Sequence, residues 1–107
     1  MVVSQYQIVL VNLDPTVGSE IKKTRPCVII SPNEMNKYLR TVVVAPMTTG
    51  IKNYPTRIPV KHENKKGSIA LDQIRTIDKQ RIIKTYKTLS KEEIIILKSV
   101  LKETYVD

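Results

Sequence analysis

Apolar runs in this chain are short, and each one stops at a proline, a glycine or a polar turn. Residues 8–13, 27–30 and 41–45 are β-branched-rich runs followed by Asp14-Pro15, Ser31-Pro32 and Pro46. Proline withholds a ladder donor and restricts its predecessor, so these positions read as strand ends. Residues 56–60 alternate polar and apolar like a half-exposed strand, with Pro59 marking an edge or a bulge. Residues 68–71 and 73–77 read as two further short strands or one bent one. Strands this short, at this spacing, indicate a small, strongly bent antiparallel sheet or barrel.

The connections carry their own signals. Residues 14–24 form a loop of about ten residues, long enough to expect function in it. Residues 33–39 suit a short helix or turn, Asp78 opens a helical turn, and residues 61–66, which include His62, read as a solvated polar loop. At Ser90 the period changes: Ser90-Lys91-Glu92-Glu93 is a capping box, and a helix is expected over residues 91–103. Ile94 to Leu97 are four successive apolar residues that sweep about 300° of the helix, more than one stripe can hold. Either the helix is sandwiched within its own domain or one side meets a second subunit. A chain of 107 residues buries roughly 65% of its unfolded surface, which favours the dimer. The expected fold class is therefore α+β, mainly β, in one domain over residues 1–107.

Composition excludes several chemistries. One His and one Cys leave no four-ligand zinc site of nitrogen and sulfur within one subunit, so no metal is expected. Three glycines, Gly18, Gly50 and Gly67, are too widely spaced for a phosphate-cradling loop, and no cofactor is expected. Phe and Trp are absent, so an aromatic stacking platform for RNA cannot be assembled. Cys27 lies in an apolar run and reads as a buried reduced thiol, which with the absence of a signal or membrane-spanning segment suggests a cytoplasmic protein. Lysine and arginine total 18 against 10 acids, a formal net charge of +8 that favours polyanionic partners.

Four blocks carry a more specific signal: Val11-Asn12-Leu13-Asp14-Pro15-Thr16-Val17-Gly18-Ser19-Glu20, Thr24-Arg25-Pro26-Cys27-Val28-Ile29-Ile30-Ser31, Val44-Ala45-Pro46-Met47-Thr48-Thr49 and Leu71-Asp72-Gln73-Ile74-Arg75-Thr76-Ile77-Asp78. In order and spacing they resemble the MazF/PemK (Kid) family of toxin endoribonucleases over nearly the whole chain. The resemblance implies a CcdB/PemK-like, SH3-like barrel with a C-terminal helix, a homodimer, and metal-independent cleavage of single-stranded mRNA at short sequences. It also implies an acidic, partly disordered MazE/PemI-like antitoxin covering the active groove. The chain departs from most relatives at the first strand, where Tyr6-Gln7 replaces a Gly and an acid. Ser19 and Ala70 stand where the Kid branch has a His and an Arg, so that branch's acid and base cannot be copied here.

Metal-free RNA cleavage uses the substrate's 2′-hydroxyl as nucleophile, and the protein must supply a base, an acid and a stabiliser for the phosphorane charge. Arg25 suits the last role through its fixed charge and forked donors, the alternative being a loop salt bridge. Thr48 offers a hydroxyl to the same phosphate, or caps a turn. Glu20 orients Arg25 or accepts the 2′-hydroxyl proton, or is a solvated loop acid. Lys22, Lys23, Lys52 and Arg57 are expected to neutralise flanking phosphates, with Thr49 beside them. Asp72 and Gln73 are expected to contact bases or line the groove, unless Asp72 simply pairs with Arg75. Two other readings compete: a CcdB-like gyrase inhibitor that cuts nothing, and a basic regulator that binds nucleic acid without cleaving.

Overall fold

Strand β3 (Thr41–Thr49) organises the molecule. The computed structural model describes residues 2–13, 24–49 and 55–106. Around β3 are β1 (Gln7–Asn12), β2 (Thr24–Ile29), α1 (Asn33–Tyr38), β4 (Arg57–His62), β5 (Lys65–Ala70), β6 (Arg75–Asp78), β7 (Ile82–Thr88) and α2 (Lys91–Tyr105). Single 3-10 turns occupy Leu71–Gln73 and Lys79–Arg81. The sheet is antiparallel with order β4-β5-β3-β2-β1-β7, and β6 also pairs with β3.

The third strand was expected to stop before Pro46, yet it continues to Thr49. Pro46 lies opposite Cys27 in the last pair that β3 makes with β2, and from Met47 onward β3 pairs with β5. The missing N–H thus falls where the strand changes partners, which is where a sheet tolerates proline. Along its first half, β3 is lined by β6, from Thr41 opposite Asp78 to Val44 opposite Arg75.

Both faces of the sheet are buried, and alternation sorts the side chains. Ile8, Val28, Ala45 and Met47 face the inside of the bend, with Ile58, Ile69 and Leu97. Val9, Val11, Cys27, Ile29, Val42 and Val44 face the other way, where Val3, Ile77 and Ile82 join them. Val9 lies opposite Cys27, and Cys27 opposite Pro46, so each row across β1, β2 and β3 stays on one face.

Two local expectations change. Residues 61–66 are not a solvated loop: Glu63 and Asn64 have φ of 50° and 63°, the left-handed pair of a two-residue hairpin turn, and His62 and Lys65 close β4 onto β5. β7 was not anticipated, because six of its seven residues are not buried and its pattern carries no alternation. Pro59 does lie on a terminal strand, since β4 ends the order. The sheet is strongly bent but open among the described residues. Its end strands meet through side chains, with the His62 and Tyr86 rings edge to face at 4.7 Å.

The capping box of α2 forms in full: the Glu93 amide donates to Ser90 Oγ at 3.2 Å, and the Ser90 amide to Glu93 Oε1 at 2.9 Å. Leu97 is fully buried, with Ile94, Val100 and Leu101 packed around the same core. Ile95 and Ile96 are 67% and 47% exposed, so α2 is not sandwiched within its own chain. Among the described residues no helix is long and apolar enough to cross a membrane.

Candidate active site

The ladder between β2 and β3 ends at Cys27 opposite Pro46. Two residues further along each strand, on the same face, stand Arg25 and Thr48. They flank the fork at which β3 leaves β2, and this is the placement that brings together two residues 23 apart in sequence. Arg25 is half-buried beside Val11 of β1, and its guanidinium pairs with no carboxylate among the described residues.

Thr48 is held from the β5 side. It lies opposite Ser68, and its hydroxyl reaches the Ser68 carbonyl at 3.5 Å, a bond long enough to exchange for another acceptor. Gly67 makes this approach possible: a Cβ there would stand 2.4 Å from the Thr48 carbonyl oxygen. Thr49, opposite Gly67, is exposed at the strand end.

Asp72 and Gln73 fall in the 3-10 turn that joins β5 to β6. Asp72 does not pair with Arg75. It accepts from Arg57 Nε at 2.8 Å, from Arg57 Nη2 at 3.2 Å and from the Thr56 hydroxyl at 3.0 Å. Arg57 and Asp72, both expected to contact substrate, are therefore bound to each other in a two-pronged ion pair. The Arg57 hydrogen bonds are the main cause that holds the Asp72 carboxyl down at about 2, well below its usual range. The pair fixes the turn on β4, and Tyr105 of α2 fixes it again by donating its hydroxyl to the Leu71 carbonyl at 2.5 Å. Gln73 remains exposed on this tethered turn. Thr56 and Tyr105 could not be found from sequence, because their contacts cross the fold with no local motif.

Cys27 sits under the fork, fully buried. Burial pushes its thiol up to about 12, against the opposing pull of the Arg25 and Arg75 charges. The thiol is thus a packing group and no nucleophile. Glu20, Lys22, Lys23 and Lys52 lie outside the described residues. A shallow pocket lined by Tyr38, Arg40, Asp78 and Lys79 lies by the first residue of β3, at the opposite end from the fork.

A guanidinium without a carboxylate partner among the described residues, a hydroxyl on the same face across the fork and a tethered polar turn can together hold a phosphodiester. The same chain matches a family described as PemK-like, MazF-like toxin of type II toxin-antitoxin system, over residues 4–105. It is 37% identical over 100 residues to the endoribonuclease MazF of Staphylococcus epidermidis, covering 88% of this chain and 83% of that protein. Its fold is similar to the Mycobacterium tuberculosis toxin MazF-mt6, with TM-score 0.77 and 22% identity over 92% of this chain and 95% of that one. It is equally similar to MazF in a MazE-MazF crystal from Deinococcus radiodurans, with TM-score 0.79, 18% identity, and 99% and 97% coverage. The chain belongs to the PemK-like, MazF-like toxins of type II toxin-antitoxin systems.

Proposed function

We propose that this toxin is an endoribonuclease that cuts single-stranded RNA without a metal ion, at short sequences, and so blocks translation. The observation that supports the reading is the fork, where Arg25, whose guanidinium pairs with no carboxylate among the described residues, and Thr48 flank the point at which β3 leaves β2. The ribose 2′-oxygen attacks the adjacent phosphorus while the bond to the 5′-oxygen breaks, and that oxygen takes a proton from water, which leaves a 2′,3′-cyclic phosphate and a 5′-hydroxyl. Arg25 spreads its donors over the two non-bridging oxygens as charge builds there. Thr48 donates to one of the same oxygens. Glu20 accepts the 2′-hydroxyl proton as general base. Lys22, Lys23 and Lys52 neutralise neighbouring phosphates, and Thr49 and Gln73 face bases. The Arg57–Asp72 pair presents Gln73 and lines the groove.

On this reading residues 1–107 are one toxin domain, working in the cytoplasm where Cys27 stays a thiol. The uncovered Ile95 and Ile96 are what a second copy would bury, making a homodimer. The net charge of +8 suits an acidic MazE/PemI-like antitoxin, and the Deinococcus radiodurans MazF was crystallised with MazE.

The test is incubation of the purified protein with a long RNA in EDTA. New 5′-hydroxyl ends are expected, and Arg25→Ala should fold normally while losing on the order of a hundredfold or more in cleavage rate. Intact RNA would overturn the reading, and full activity in Arg25→Ala would remove that residue from the chemistry. Sequencing the new ends reads out the bases at the cut.

A further inference from the structure

Arg75 stands in the fourth motif block, where its spacing offers it as a partner for Asp72, but the structure gives that carboxylate to Arg57. What remains is an exposed arginine that pairs with no carboxylate among the described residues. Its position on the sheet is informative. Arg75 lies opposite Val44, and Val44 lies opposite Ile29, so these three form one row across β6, β3 and β2. Ile29 and Val44 belong to the outer-face core, as does Ile77, two residues on from Arg75. Arg75 thus projects from the same face as Arg25 and continues an apolar row with a charge.

Arg25 and Arg75 stand at opposite corners of a small buried patch of the sheet whose centre is Cys27, Pro46 and Val44. Two strand spacings and four residues separate them, roughly 16 Å between backbones on regular sheet geometry. Both side chains have long stems, which can bring the charged heads closer than the backbones. Both charges pull down on the Cys27 thiol, which lies in the rows between them. The acids that flank Arg75 in sequence are engaged elsewhere: Asp72, in the preceding 3-10 turn, with Arg57, and Asp78, at the end of β6, accepting from the Gln80 amide at 2.8 Å. No described carboxylate pairs with the second guanidinium, and the buried residues between the two are apolar, which strengthens the attraction of both for an anion.

We propose that Arg75 grips a second RNA backbone phosphate, a few nucleotides from the one that Arg25 holds, so that the two arginines fix the strand from either side of the buried Cys27–Val44 patch. This deepens the nuclease reading and rests on it for the identity of the ligand. Arg75 is then a binding residue: it holds a phosphate that does not change charge in the reaction, so it contributes equally to ground and transition states.

The experiment uses a single-stranded RNA oligonucleotide with 2′-O-methyl riboses, which binds but offers no nucleophile. Its dissociation constant is measured against salt for the wild-type protein, Arg75→Ala, Arg75→Lys and, as a control, Arg40→Ala at the far end of β3. Arg75→Ala should weaken binding about tenfold at low salt and make the log–log salt slope shallower by about one. Arg75→Lys should keep the wild-type slope, and Arg40→Ala should leave both quantities unchanged. With cleavable RNA, KM should rise in Arg75→Ala while kcat stays within about twofold. An unchanged slope in Arg75→Ala, or a loss confined to kcat, overturns the proposal. If the wild-type protein makes no 5′-hydroxyl ends but Arg75→Ala still flattens the slope, the phosphate contact stands and the nuclease reading falls. Absence of RNA binding by the wild-type protein overturns both.

Discussion

A Cβ on residue 67 would stand well inside contact distance of the Thr48 carbonyl oxygen, so β3 or β5 must shift at Thr48 and carry its hydroxyl along. Gly67→Ala should therefore cost about 1–3 kcal/mol in chemical denaturation, the usual range for forcing atoms into a packed site. It should also lower RNA cleavage by more than its stability loss explains, measured well below the unfolding midpoint. Wild-type cleavage in a destabilised Gly67→Ala would show that the position of Thr48 is irrelevant to the chemistry. Tyr6 makes the opposite case, a bulky residue where the backbone prefers none. Its φ is 69°, its amide donates to Ile29 and its carbonyl accepts from Leu89, so the turn into β1 is locked in the left-handed region. Gly is the residue that this dihedral favours. Replacing Tyr6 by Ala removes the ring that packs on the core and keeps the dihedral cost, whereas Gly removes both. Tyr6→Gly should be the more stable of the two by about 1 kcal/mol in urea titration, and equal midpoints would contradict this.

At the level of elements, the Arg57–Asp72 clasp decides how the Leu71–Gln73 turn responds to acid. Asp72 has its carboxyl lowered to about 2 in the folded chain from an ordinary value near 4, so the unfolded state binds the extra proton first. Its contribution is complete above about pH 4 and is lost as pH falls towards 2. The carboxylate side chain is 37% exposed, so solvent screens part of the effect and the loss should be modest. Asp72→Asn should abolish the part of the acid-induced fall in melting temperature that lies between pH 4 and 2. A slope identical to wild type would mean that the clasp does not form. This clasp illustrates which elements were legible in the sequence. The strands at 8–13, 27–30 and 41–45 and the capped helix declare themselves, because each has a run of buried β-branched residues or a local cap. The side chains of β7 scarcely enter the core, and the Glu63-Asn64 turn needs two positive φ values without a glycine to signal them. Arg25 and Thr48 were visible as motif residues, whereas the true partner of Asp72 depends on β4 folding against β5, a long-range register no spacing encodes.

Over the whole molecule, one sign of charge must serve two kinds of association. The surface exposed by Ile95 and Ile96 on α2 is apolar, and burying it in a second copy removes hydrocarbon from water while bringing two bodies of net charge +8 together. Salt screens that repulsion, with a Debye length of about 10 Å at 0.1 M, so self-association should tighten as salt is added. RNA binding moves the other way, because each phosphate contact releases counterions into a solution already rich in them; about four contacts give a log–log slope near −3. Raising sodium chloride from low to moderate concentration should therefore increase the dimer fraction in light scattering while it weakens RNA binding in the same samples. Replacing both Ile95 and Ile96 by Glu should leave α2 folded, since Leu97, Ile94 and Leu101 on the other side are untouched, but should yield a monomer at every salt concentration. In that variant the unfolding midpoint should no longer rise with protein concentration, as it does when folding and assembly are linked. A double variant that still scatters as a dimer would place the contact elsewhere on the surface and leave the exposed isoleucines without a partner in self-association.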